Sequence, residues 1–93
     1  MPHSYRVTLQ PHGGPAGLEF DVANHDDIIQ LVERVRVSRI LPDGEAAAFI
    51  VGLKLWGEVM LNHRGDPLFV DLFPHFGAFM KRLKAAVARS GEA

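Results

Sequence analysis

The chain has no cysteine, which excludes disulfides, thiolate-held metals and cysteine nucleophiles. It has no charge of dominant sign either: ten lysines and arginines stand against eleven aspartates and glutamates, for a net charge of −1. That balance sets up no broad field to draw in nucleic acid or an anionic membrane. Long apolar runs are also missing. The longest, from Ala46 to Leu61, is broken by Lys54 and Glu58 and falls short of the roughly 20 residues that span a bilayer. The opening residues, Met1-Pro2-His3-Ser4-Tyr5-Arg6, contain no apolar stretch of the kind a secretory signal carries, so a cytoplasmic protein is expected. What is there is 93 residues, 47% hydrophobic and 23% charged, too apolar for disorder. That length suits one domain, taken as residues 1–93 with an ordered core of about 4–89.

Two segments alternate with the period of a half-buried strand. In Ser4 to Gln10, Tyr5, Val7 and Leu9 share one face; in Gly17 to Ala23, Leu18, Phe20 and Val22 do the same. Pro11-His12-Gly13-Gly14-Pro15-Ala16 between them opposes a helix and suits a turn, so the two form an antiparallel hairpin. Arg6 should pair across the strands with Glu19 or Asp21.

Asn24 ends the second strand and reads as a helix cap, with Asp26 and Asp27 near the positive end of the dipole. The helix that follows should bury Ile28, Val32 and Val35 with Ile29 and Leu31, and it stops near Ser38. Pro42-Asp43-Gly44 breaks the chain, and Asp43 should cap a second helix running from about Gly44 to His63. Phe49, Ile50, Leu53, Trp56, Met60 and Leu61 give that helix a broad apolar stripe, widened by Leu55 and Val59. So apolar a helix must be enclosed on most sides, by the rest of the chain or by a second copy. Gly52 and Gly57 each weaken it by about 1 kcal/mol, which points to close approach by a neighbour. Gly65 falls where a left-handed C-terminal cap would sit. Leu68 to Phe73 forms a short helical turn, and Pro74 opens a last helix from about His75 to Arg89 with Phe76, Phe79, Met80, Leu83 and Val87 inward. The order is strand, strand and three helices, an α+β fold with the helices packed on one face of the hairpin (β-β-α-α-α).

Chemistry leaves few marks. No two histidines have the spacing that holds a metal from one helix, no serine sits in a nucleophile elbow, and no glycine-rich loop opens a helix. The sequence therefore names no catalytic residue, metal or cofactor. Lys54 and Glu58 are i, i+4 neighbours and read as a surface ion pair. Arg34, Arg36 and Arg39, with Lys81, Arg82, Lys84 and Arg89, read as solvated faces, and nucleic acid is not an expected partner. His63 and Arg64 satisfy the end of the second helix, and His75 reads as a buried polar link. The functional alternative joins His63, Arg64 and His75 in a polar corner that reads an anion, as a small-ligand receptor or enzyme would.

The stretches Gly52 to Leu61, Pro67 to Phe69 and Pro74 to Lys84 resemble a family of small bacterial proteins described only as a domain of unknown function. The likeness extends more loosely to Tyr5-Arg6-Val7 and Asn24-His25-Asp26-Asp27. Trp56 and Gly57 depart from a phenylalanine and a small polar residue in that pattern. The resemblance implies a bacterial, intracellular, stand-alone α+β domain, and it transfers no activity, cofactor or site residue.

The apolar inventory is generous for so small a chain, and a hairpin has free edges. We therefore expect a homodimer that acts as a binding or regulatory interaction module without catalytic activity, with no membrane partner but open to an unidentified protein partner. Pairing of two hairpin edges would give a four-stranded sheet; pairing of helices would cover the apolar surplus directly.

Overall fold

A computed structural model describes residues 2–15 and 17–91; Met1, Ala16, Glu92 and Ala93, touched on above at the amino terminus and in the turn, lie outside the described residues. The elements are β1 (His3–Leu9), β2 (Leu18–Asn24), α1 (Ile28–Ser38), α2 (Asp43–Asn62) and α3 (Phe73–Gly91). This is the expected β-β-α-α-α order of an α+β fold. The strands pair antiparallel with Tyr5 opposite Val22, Val7 opposite Phe20 and Leu9 opposite Leu18, so the apolar residues share one face. Arg6 meets Asp21 across the other face at 3.2 Å.

The core sits in the corner between α1 and α2, where Ile28, Val35, Ala46 and Ile50 are buried. Tyr5 packs against this corner from β1, and Tyr5 Oη accepts the backbone N–H of Ile28 at 2.9 Å. The helices cover only this end of the hairpin. Leu9, Leu18 and Phe20 lie beyond them and are exposed. Among the described residues no helix is long and apolar enough to cross a membrane.

The helix ends differ from the expected caps. Asp27 rather than Asn24 caps α1, its carboxylate accepting the Gln30 N–H at 3.1 Å, because three residues separate the strand end from the first helical turn. Arg39 closes α1 in the left-handed region at φ 59°, as the stop near Ser38 requires. Asp43 is already helical, with Pro42 ahead of it, and serves the dipole together with Glu45 rather than capping. At the other end His63 closes α2 with φ −125°, and among the described residues the only glycine with positive φ is Gly13. Gly65 therefore makes no left-handed cap; instead the His63 carbonyl accepts the Asp66 N–H at 2.9 Å, starting the turns that lead into α3.

The enclosure of α2 is incomplete. Ala46, Ile50, Gly57 and Met60 are buried, and Met60 has no accessible surface. Trp56 and Val59, on another flank of the same helix, are 43% and 53% exposed. α1 packs against one face of the helix, β2 touches another, and α3 reaches it through the rings of Phe76 and Phe79, so one stripe of the helix remains bare. α3 itself is lightly seated: Phe76, Met80, Leu83 and Val87 form its inner stripe, and each is only half-buried.

Candidate functional site

Two features stand out where α2 meets its neighbours: a polar cluster beside a cleft, and an aromatic seam.

The cluster is built by the turn between β2 and α1. Asn24 is 2% exposed at the end of β2, and both ends of its amide are used. Its Nδ2 donates to the Lys54 carbonyl at 3.1 Å, and its Oδ1 accepts the Asp26 N–H at 3.0 Å. A buried amide left unpaired would be costly, so these bonds fix the turn against α2. The turn then presents two side chains to α2. Lys54 Nζ donates to Asp26 Oδ2 at 2.8 Å, and His25 Nδ1 lies 3.2 Å from Glu58 Oε1. The expected Lys54–Glu58 pair is thus replaced by two partnerships across the fold. Lys54 and Glu58 share one face of α2, and the turn laid over that face offers each a partner in better geometry than a neighbour one helical turn away.

Next to the cluster a cleft of about 470 Å³ opens between α3 and the α1–α2 corner. Leu31, Val35, Ile50, Met80, Leu83 and Val87 line it, with Asp26, Lys54, Arg34 and Lys84 among its polar groups. A smaller space of about 160 Å³ shares Asp26, Lys54, Met80 and Lys84 with it and reaches Asn24, Glu58 and Phe76. Such a lining suits an apolar body with a polar end.

The seam runs along α2 and α3. Trp56 meets Phe76 edge to face at 5.6 Å, and Phe49 meets Phe79 likewise at 6.2 Å. Gly57 lets Phe76 approach: a Cβ there would lie 3.1 Å from Phe76 Cζ. The close approach expected at Gly57 is therefore made by a ring. At Gly52 nothing among the described residues lies within 4 Å of such a Cβ.

His63, Arg64 and His75 sit elsewhere. His63 is the C-cap of α2, Arg64 follows it in the turn, and His75 is in the first turn of α3. All three are exposed, so His75 is not the buried link its apolar neighbours suggested; the first turn of α3 directs Phe76 inward and leaves the adjacent residue in solvent. Among the described residues none of the three makes a side-chain hydrogen bond or ion pair, and none lines the cleft. Nor does any group of three or more metal-ligating side chains come together among the described residues. The residues that do converge, Asn24, His25, Asp26, Lys54 and Glu58, were individually visible, and the signal that joins them is Lys54 and Glu58, two charges in the otherwise apolar middle of α2.

The model of a family described as a domain of unknown function with solved structure, DUF3861, matches residues 3–85. The chain belongs to the DUF3861 family. A crystal structure of a protein of unknown function from Pectobacterium atrosepticum is similar throughout: 37% identical, covering 91% of this chain and 99% of that one, with a TM-score of 0.83. No curated protein matches the chain. The DUF3861 match contains every element of the fold up to Ala85 in α3, and so takes in the seam and all of the cleft lining except Val87.

Proposed function

We propose that this DUF3861 chain is a homodimeric binding module of the bacterial cytoplasm, without catalytic activity of its own. The observation that carries the reading is its surface. The chain exposes 7009 Å², whereas a compact monomer of 10.3 kDa exposes about 5,400 Å². Its radius of gyration is 15.0 Å against about 12 Å for a compact domain of this length. Much of the additional surface is apolar, in the hairpin tip and along α2 and α3. An excess of roughly 1,600 Å² on each of two copies matches what obligate dimers bury. Sedimentation or light scattering at micromolar concentration tests the reading. A species of twice the chain mass is expected; a strict 10.3 kDa species rejects it.

A small-ligand receptor is the second reading, favoured by the apolar cleft beneath α3 with Arg34 and Lys84 on its wall. It uses those cations in place of the His63, Arg64 and His75 corner. Calorimetric titration with an apolar carboxylate such as decanoate separates the two, since the module reading expects no heat of binding at the cleft.

A further inference from the structure

α2 carries two stripes of side chains on adjacent flanks. One, Ala46, Ile50, Gly57 and Met60, is buried within the chain. The other, Ala48, Gly52, Trp56 and Val59, repeats at spacings of four, four and three and is exposed along its whole length. Taking the self-association argued above as its basis, we propose that two copies pack antiparallel along this second stripe, with Trp56 of each seated on Gly52 of the other.

Four observations carry the placement. The stripe is apolar where a solvent face of a helix is ordinarily polar. Gly52 weakens the helix relative to alanine, and among the described residues nothing fills the space this leaves, in contrast to Gly57 under Phe76. In an antiparallel pairing centred on the stripe, large meets small: Trp56 falls opposite Gly52, and Val59 opposite Ala48, the interdigitation that close helix packing needs. The charges agree as well. Glu45 stands at one end of the stripe and His63 and Arg64 at the other, so antiparallel pairing brings acid to base at both ends. Parallel pairing would set Glu45 on Glu45. Closing this face covers Trp56 and Val59, which hairpin-edge pairing would leave in water.

The only tryptophan reports on the interface directly. On dilution, the emission of Trp56 should shift to the red in step with the halving of mass seen by sedimentation. Gly52→Gln, placed in open space on the lone helix, should keep native circular dichroism and weaken the dimer by about tenfold or more. Glu45→Arg should weaken it too, and adding His63→Glu with Arg64→Glu should restore it. If Gly52→Gln dimerises as tightly as the native chain, or mass falls on dilution without any change in Trp56 emission, the copies meet elsewhere and this placement fails while self-association stands. If the native chain is monomeric at every concentration, both fail.

Discussion

Tyr5 and Ile28 are tied by a single hydrogen bond: the Tyr5 hydroxyl accepts the first helical N–H of α1 at 2.9 Å. The bond fastens the hairpin to the helical corner and satisfies a backbone donor that α1 itself leaves free. Tyr5→Phe keeps the ring and removes only the acceptor. We expect it to cost about 1 kcal/mol, within the range for one intramolecular hydrogen bond, read as a lower midpoint in urea unfolding with an unchanged slope. A loss near zero would mean that water replaces the hydroxyl without penalty.

Gly57 and Gly77 make a matched pair. Both lie inside helices, and alanine at either gains helix propensity of about 1 kcal/mol. At Gly77 nothing among the described residues lies within 4 Å of the added Cβ, so Gly77→Ala should stabilise by close to that amount. At Gly57 the methyl meets the Phe76 ring at 3.1 Å, and the ring is held against Trp56. Gly57→Ala should therefore be neutral or destabilising, and should alter Trp56 emission. Equal stabilisation by both would show that Phe76 yields freely.

Glu33 and Arg36, exposed on α1, share two hydrogen bonds, one from Nε at 3.0 Å and one from Nη2. The bonded guanidinium holds the Glu33 carboxyl below its ordinary range, and its charge acts in the same direction. A carboxylate depressed in the folded state adds stability above its unfolded value and loses it as the pH falls through the folded one. Glu33→Gln should accordingly be slightly less stable than the native chain at neutral pH. The difference should close on acidification below the ordinary glutamate range, and shrink in high salt. A gap that persists in acid would assign the effect to something other than charge.

Most of the element order was legible because its periodicities are clean. Tyr5-Val7-Leu9 and Leu18-Phe20-Val22 could only be a hairpin face, and Ile28, Val32 and Val35 repeat as a helix does. Position was harder than type. Asn24 and Asp27 are equally good caps by residue type, and the choice between them depends on how far the chain runs before it coils. Lys54 and Glu58 looked like a pair because helical spacing is local, whereas Asp26 and His25 reach them only after the turn has folded over α2. The bare stripe was the least visible. An almost wholly apolar helix carries no polar face to mark where water begins, so Trp56 and Met60 look alike in the sequence although one is 43% exposed and the other sealed. The corner of His63, Arg64 and His75 rested on residue type at helix ends, and all three residues are exposed.

The buried corner of Ile28, Val35, Ala46 and Ile50 comes from two helices adjacent along the chain, while α3 contributes only half-covered side chains. Contacts so near in sequence close quickly, and all four residues are synthesised before α3. The corner can thus form from contacts within residues 28–50 without waiting for the last helix. α3 acts as a clamp over a corner that the first two helices already build, and any opening of it uncovers the flank of α2 that receives Phe76.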